Sequence, residues 1–452
     1  MIVETPSAHM KGTVIRQSFW TFIIKGLGFV LTMGSGILIA RLLGPEGKGA
    51  YGLATALPKI VATVGTLGLS YSCIRLLGSQ KYRREAVVST TLTWVLVWGA
   101  LLVLGCWLSY GYLKDNFLKG VDIFAFGLGL LIIPLYLLNE GAGQSLRGIK
   151  RISDFNVNWL LQFGLRFIGL WLVLAVWHYG VHGALLARTV GSTVPLVISL
   201  IVLYQNIPFG LRVDKAILHD ILTFGFKLSL THSLLVLNYD IDLFIINYFS
   251  VSTDQVGYYT LAVSIAELLW YISESVMIVA LPYIASAAES DKARMAATAC
   301  RNSLVLTVLA GLGLAAVIRP MITLVYGEAY LPAAVPFLVL LPGAIIMVIF
   351  RVLYDYLLIN HDPLYIGIAT GGATAVNVAA NFFLIPRLGI TGASLASVIS
   401  YTVTSIIAVY LFKRIAPTPV REILCPMASD WREYRRLLGR LTWRRVPAMD
   451  EK

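Results

Sequence analysis

The sequence predicts an all-α integral membrane protein of about 12 transmembrane helices. It places them in two parallel six-helix lobes, related by a pseudo-twofold axis around a central cavity. Three observations carry this: composition, the number of apolar runs, and an internal repeat. Of 452 residues, 58% are hydrophobic and 13% charged, and mean hydropathy is +0.77. Soluble domains carry about a quarter charged residues, so lipid must solvate much of this surface. A spanning helix takes about 20 mostly apolar residues. Twelve such runs occur, near 17–40, 50–73, 87–112, 122–146, 155–177, 183–204, 219–249, 256–282, 302–325, 333–358, 364–385 and 391–412.

The repeat is legible residue by residue. "GAYGLA" at 49–54 matches "GYYTLA" at 257–262, "GVHGALLA" at 180–187 matches "GITGASLA" at 389–396, and Pro134 matches Pro342. The offsets are 208, 209 and 208 residues. Six helices per half is an even number, so both halves enter the membrane in the same direction, which predicts parallel repeats. The domains expected are an N-lobe at 1–205, a C-lobe at 206–413 and a basic tail at 414–452, with the boundary in the polar stretch "QNIPFGLRVDKAILHD".

The first run is too long for a cleaved signal, ends without a small-x-small site and is followed by eleven more. Four scattered cysteines make no metal or disulfide pattern,. The net charge of +12 is an orientation signal rather than a nucleic-acid footprint. One set of loops holds Lys11, Arg16, the "RLLGSQKYRR" and "RGIKR" stretches, Arg212, Lys215, Lys292, Arg294, Arg301 and the tail from Lys413. The opposite set holds only Arg41, Lys48, Lys114, Lys119, Arg319 and Arg387. By the positive-inside rule the first set and both termini are cytoplasmic, in the cytoplasmic (inner) membrane.

The stretch "ILIARLLGPEGKGAYGLATALP" (37–58) interrupts apolar sequence with Arg41, Pro45, Glu46, Lys48 and glycines that include Gly44, Gly47 and Gly49. Glycines permit backbone angles closed to other residues and Pro fixes its own, so it reads as the turn joining helices 1 and 2. Gly257 marks the equivalent turn of the second half. Paired at one face of two lobes, the turns rim a central cavity; taken singly, each is a tight helical hairpin without a ligand.

Ionisable groups inside a membrane cost about 3 kcal/mol or more at a helix centre, so each is a site candidate. The basic ones are Lys25, Lys59, Arg166, Arg188, Lys227 and Arg351, and together they are the candidate cavity cations. Arg166 stands out near the midpoint of its span, too deep to snorkel, and Arg stays charged. Structural readings compete for the rest. Arg351 and Asp355 are i,i+4 and can pair, Lys25 and Lys227 can snorkel, Arg188 can reach an interface, and Lys59 can satisfy carbonyls freed by Pro58.

The acidic candidates for ion coupling are Asp242, Glu267 and Glu274; Glu140, Asp240 and Asp355 complete the set. A carboxylate in a cavity can take up a proton or Na⁺, or simply neutralise a neighbouring lysine. Trp159, Trp171, Trp270 and Tyr271 are candidates for packing against sugar rings. Asn377 and Asn381, one turn apart, suit a sugar or a neighbouring helix. In the tail, "DWREYRRLLGRLTWRRV" has the spacing of an amphipathic interfacial helix,. Walker A, dinucleotide and HExxH motifs are missing, and "HYGVHG" reads as an interfacial turn rather than a metal site. No cofactor or metal is expected, and the protein is read as a non-enzyme.

At several of these places the sequence resembles a family. "ARLLGPEGKGAYGLA" looks like the first-hairpin signature of the polysaccharide-biosynthesis (Wzx-type) flippases of the multidrug/oligosaccharidyl-lipid/polysaccharide exporter superfamily. "LVYGEAYLPAA" (324–334) and "NVAANFFLIPRLGITGASLASVIS" (377–400) resemble its later hairpins, and Asp242 matches an acidic position common in its helix 7. The sequence departs at Ser252–Thr253, where the family has Gly-Pro.

The resemblance implies a flippase that moves polyprenyl-pyrophosphate-linked oligosaccharide by alternating access for cell-surface polysaccharide biosynthesis, coupled to H⁺ or Na⁺. Its partners would be the lipid-linked substrate, the bilayer and polysaccharide-assembly machinery, with no nucleic acid. The competing readings are a cation- or proton-coupled multidrug antiporter of the same superfamily and a membrane glycan polymerase or glycosyltransferase. The first would want a cavity dominated by carboxylates, the second large outer loops.

Overall fold

The computed structural model describes residues 8–79, 81–249, 252–360, 363–416 and 418–427. The amphipathic tail segment read from the sequence lies outside them. Among the described residues, eleven helices are long and apolar enough to cross a membrane. The first, Ile23–Gly65, is two segments joined at Gly44, whose φ of 69° breaks the helix. Among the described residues the count is therefore twelve, as the apolar runs of the sequence predict. In chain order they are α1 (8–43), α2 (45–65, continued as Leu69–Ser79), α3 (Arg84–Leu108) and α4 (Ile123–Leu130 with Ile132–Gly148). Next come α5 (Ile152–Trp171, ending in a π-helical turn at Leu172–Val176), α6 (Gly180–Asn206) and α7 (Lys215–Phe249). The last five are α8 (Asp254–Glu267 with Trp270–Ser286), α9 (Glu289–Val325), α10 (Ala334–Asn360, after a 3-10 turn at Glu328–Ala333), α11 (Pro363–Leu388) and α12 (Ile390–Ile415).

The interruption at 37–58 is narrower than the sequence suggested. Helix runs through Leu43 and resumes at Pro45, so the turn is Gly44 alone. Pro at the first position of a helix loses no hydrogen bond and is pre-set to the right φ. The direction of the two arms follows from their neighbours. Gly28 and Gly34 of α1 lie against Trp159 and Phe167, ascending α5 together with it. Lys59 and Thr66 of α2 meet Asp240 and Ser229, descending α7. The arms are thus antiparallel, with Gly44 at one end of the bundle, hereafter the turn end. The opposite end carries Lys81, Arg83, Arg84, Arg147, Lys150 and Arg151 and is called the basic end.

Apolar burial falls into two clusters. One is built mainly from α2–α6 with the buried side of α7, including Leu53, Ile133, Leu137, Leu170, Leu185 and Ile221. The other runs from Leu261 to Ile423 and includes Phe337, Met347, Leu353 and Phe412. Each cluster fills most of one lobe, but they cross the boundary: Val256, Tyr259, Ile385, Ile390 and Ala393 belong to the first and Ala40 to the second, and α7 spans the seam by packing its other side on α11. Polar locks hold neighbouring helices inside each lobe. Asn158 Nδ2 donates to Pro195 O at 2.6 Å and to Ser199 Oγ at 2.5 Å, fixing α5 to α6. A short helix, Val420–Leu424, buries Ile423, and Arg301 donates to Glu422 O.

The lobes touch at both ends. At the turn end the two copies of the repeated motif meet each other. A Cβ on Gly49 would come closer than 3.0 Å to Thr253 O, and one on Gly257 equally close to Pro45 O. Only glycine allows α2 and α8 to cross backbone on backbone here. Arg41 adds hydrogen bonds to Val325 O at 2.7 Å and to Leu324 O, and Tyr330 Oη donates to Ala40 O at 3.0 Å. Beside them Asp122 caps α4 and meets His182 at 2.7 Å. Partial burial works against the Asp122 carboxylate, yet the Ala125 amide and His182 hold its pKa below the ordinary value. At the basic end Gly68 and Gly225 bring α2 and α7 together, Ser72 Oγ donates to Ile221 O at 2.9 Å, and Lys81 pairs with Asp220 at 2.6 Å.

Candidate functional site

Between these two contacts lies a cavity of about 430 Å³ lined by α1, α2, α5, α6, α7 and α8. One face of α2 builds much of its floor: Lys48, Tyr51, Gly52, Thr55 and Lys59 all line it. Lys48, Tyr51, Thr55 and Lys59 are three or four residues apart, the spacing of a single helical stripe, with Gly52 beside it,. Opposite them, α5 contributes Arg166 and α6 contributes Arg188.

The first lobe's wall is cationic around one hydroxyl. Arg166 donates to Tyr51 Oη at 3.2 Å, and Arg188 lines the same cavity. The Arg166 Nε is buried with no hydrogen-bond partner among the described residues. Lys48 is only 8% exposed. A buried donor left unmade costs about 1–3 kcal/mol, more for a charged group. Two guanidinium groups and an ammonium in the lining beside one phenol can donate to an anion with several acceptor oxygens,.

The second lobe's wall is acidic. Asp240 of α7 pairs with Lys59 across the seam at 2.6 Å, and Glu267 of α8 faces the same space. Four cations therefore stand against two carboxylates in the lining, and one of the carboxylates is already engaged. Phe29 and Tyr271 lie side by side in the lining, ring centroids 4.2 Å apart. They supply aromatic surface next to the charges.

The sequence candidates divide three ways. Lys59, Arg166, Arg188 and Glu267 line this cavity. Lys25 is exposed on α1 outside the lining, and Lys227 lines a different cavity at the basic end. Arg351, expected to pair with Asp355 one turn away, instead forms its ion pair with Glu274 of α8 and stacks 4.8 Å from the Trp270 ring. Packing α8 against α10 offers Arg351 an interhelical partner, so Glu267 and Glu274 end up in different surroundings despite sharing a helix.

Asp242 also differs from expectation. It faces the interior of the second lobe, 1% exposed, and accepts from Tyr259 Oη at 2.5 Å, Ser397 Oγ at 2.5 Å and Asn381 Nδ2 at 2.6 Å. Neutral donors, rather than a lysine, satisfy it. Asn377 accepts from Asn381 within α11, and Asn381 donates to Asp242 of α7, so this asparagine pair serves helix contact. Among the aromatic candidates only Tyr271 reaches the cavity. Trp270 is buried and donates to Ala344 O, Trp159 packs on Phe163, and Trp171 is exposed.

The repeat explains the polarity of the two lobes. Tyr51 and Tyr259 are equivalent, and so are Arg188 and Ser397, at offsets of 208 and 209 residues. Tyr259 Oη meets Ser397 and Asp242, while Tyr51 Oη accepts from Arg166 in a lining shared with Arg188. One scaffold has been filled twice with opposite charge. Lys48 and Tyr51 line the cavity although neither is among the sequence candidates, and the signal that finds Lys48 is the 48–51–55–59 polar stripe.

Comparison with known proteins agrees with this architecture. Residues 38–335 match the family described as polysaccharide biosynthesis protein. A putative O-antigen transporter of Shigella flexneri is 31% identical over 155 residues, which is 32% of this chain and 36% of that protein. The chain thus matches about a third of that relative's length. The solved structure of lipid II flippase MurJ in an inward closed conformation superposes with a TM-score of 0.74, at 17% identity, over 97% of this chain and 94% of that one. A multidrug resistance MATE family transporter of the MOP superfamily, in an inward-facing conformation, gives a TM-score of 0.59 at 18% identity, over 88% and 98%. These two likenesses are of fold.

Proposed function

This chain belongs to the polysaccharide biosynthesis protein family, and we propose that it is a flippase for polyprenyl-diphosphate-linked oligosaccharide. The head group crosses through the cavity while its chain stays in lipid. The basic end faces the cytoplasm and the turn end the outer side of the cytoplasmic membrane, as the charge asymmetry favours. The observation that carries the reading is the Arg166–Arg188–Lys48 wall, with its buried guanidinium nitrogen left without a partner among the described residues. A diphosphate offers several acceptor oxygens and two or more negative charges, matching what that wall lacks. Phe29 and Tyr271 suit the apolar faces of the sugars, and Glu267 can accept from their hydroxyls.

Alternating access would proceed by rocking of the N-lobe (1–205) against the C-lobe (206–413), opening the Gly49–Gly257 contact and the Gly68–Gly225 contact in turn. Lys59 and Asp240 span the two lobes, so an anion that attracts Lys59 would loosen the seam. Asp242 is the candidate for coupling to H⁺ or Na⁺. It is a carboxylate in a polar interior, held by hydroxyl and amide groups that can rearrange around a proton or a small cation. Polysaccharide-assembly machinery would take the product on the outer side. The antiporter reading would have to place a cationic drug on Glu267 alone, because Asp240 is already paired and the facing wall is positive.

The test is complementation of a strain lacking its oligosaccharide flippase. Arg166→Ala should insert at wild-type levels and fail to restore surface polysaccharide. Full complementation by correctly inserted Arg166→Ala would remove the cationic wall from the mechanism.

A further inference from the structure

Tyr51 of α2 and Tyr259 of α8 hold the same place in the two halves of the repeat, 208 residues apart, and both are buried. A phenol has one proton to give and lone pairs with which to accept, and a buried donor is ordinarily matched. In the second lobe the match is complete. Tyr259 Oη donates to Asp242 Oδ2 at 2.5 Å, and Ser397 Oγ lies 3.0 Å from the same hydroxyl. Ser397 and Asn381 add their own hydrogen bonds to that carboxylate, at 2.5 Å and 2.6 Å. The tyrosine there is a donor to an anion that the protein itself supplies.

The first lobe keeps the donor and lacks the acid. At the 208-residue offset Asp242 falls on Gly34, flanked by Met33 and Ser35, so α1 offers no carboxylate at that level. At the 209-residue offset Ser397 falls on Arg188, a cation where the second lobe has a hydroxyl. Tyr51 Oη accepts from Arg166 Nη2 at 3.2 Å. That bond uses a lone pair and leaves the proton, for which no acceptor lies within hydrogen-bond distance among the described residues. The carboxylates of the cavity lining, Asp240 and Glu267, stand deeper. Asp240 is paired with Lys59, eight residues beyond Tyr51 on α2, or about 12 Å along the axis at 1.5 Å per residue. Glu267 comes ten residues after Gly257, whereas Tyr51 comes two after Gly49, the glycine that crosses it. Tyr51 is 6% exposed and lines the cavity beside Lys48, Arg166 and Arg188. Its proton therefore joins the partnerless Arg166 Nε as a second buried donor at the same level.

We propose that Tyr51 is a specificity-determining residue of the central cavity: its hydroxyl accepts from Arg166 and donates to a phosphate oxygen of the head group. The ligand's oxygen takes the part that Asp242 plays in the second lobe. A guanidinium on the phenol oxygen polarises the O–H and strengthens the bond that the hydroxyl gives, and a bond to an anionic oxygen is about twice as strong as one between neutral groups. Tyr51 thus favours a charged head group over a neutral lipid alcohol of the same chain. The inference rests on the flippase reading for the identity of the ligand and deepens it by naming this donor.

The full-length protein in phosphatidylcholine nanodiscs is titrated with polyprenyl diphosphate and, separately, with the neutral polyprenol. Three forms are compared: wild type, Tyr51→Phe, and protein with 3-fluorotyrosine placed at position 51, all at a pH where the phenols stay protonated. Fluorine makes the phenol a stronger donor and a weaker acceptor, so it separates a bond given to the ligand from one merely received from Arg166. Tyr51→Phe should weaken polyprenyl diphosphate binding about tenfold or more, the loss expected for a hydrogen bond to a charged group, and leave polyprenol binding unchanged. The fluorinated protein should bind polyprenyl diphosphate more tightly than wild type. Unchanged diphosphate binding in Tyr51→Phe, or weaker binding in the fluorinated protein, overturns the inference and leaves the flippase reading standing. Wild-type protein that binds polyprenyl diphosphate no better than polyprenol would sink the flippase reading and the inference with it.

Discussion

Gly257→Ala probes the contact between the two copies of the repeated motif. The added Cβ would lie closer than 3.0 Å to Pro45 O, a main-chain atom at the start of α2 that cannot turn aside as a side chain would. The helices must separate by about an ångström, and overpacking of this kind costs about 1–3 kcal/mol. Most of each lobe's interior stays packed, so the strain falls on the closed turn end rather than on folding. At about 1.4 kcal/mol per tenfold, the open population should rise about 5- to 150-fold. Ser264 lines the cavity from α8 and can report this as Ser264→Cys. Cys106 and Cys425, which are not buried, are first replaced by Ser. A membrane-impermeant maleimide applied at the turn end should then label the introduced thiol faster in Gly257→Ala by that factor. Gly313→Ala is the control, since a Cβ there meets nothing within 4 Å. Equal labelling of Gly257→Ala and the control would refute the claim that this glycine contact closes the cavity.

Two further outcomes follow from the charged groups. Lys59→Gln and Asp240→Asn should each loosen the seam, and the double variant should lose less than the sum, with a coupling of about 0.5–1 kcal/mol because Lys59 is 45% exposed,; thermal unfolding in detergent measures it, and strict additivity would show that the pair does not bridge the lobes. Asp242→Asn keeps the shape of the polar cluster but removes its charge, so transport in proteoliposomes should lose its response to an imposed H⁺ or Na⁺ gradient while substrate binding persists; an undiminished response would exclude Asp242 from coupling.

Much of the fold was legible because lipid imposes long apolar runs and the repeat survives at a constant offset. The Gly44 turn was placed correctly but drawn too wide, since Pro45 and Gly49 are helical and their role is contact between α2 and α8. That contact spans 208 residues of sequence, and no local pattern reports it. The site was legible where depth alone decides, as for Arg166 near the middle of its span. It was not where partner choice decides. Arg351 had Asp355 one turn away and yet pairs with Glu274 on another helix. Lys227 has the composition of a cavity cation, but Gly68 and Gly225 close the space between it and the centre. Lys48 looked like a loop residue until the helix was found to begin at Pro45.

The measurement that bears most directly on the cationic wall is translocation of a fluorescent polyprenyl-diphosphate oligosaccharide in proteoliposomes, comparing wild type with Arg166→Gln plus Arg188→Gln. Transport by the wild type, with loss of about a hundredfold or more in the variant and an unchanged fold by circular dichroism, is the predicted result. Equal transport by both proteins would contradict it.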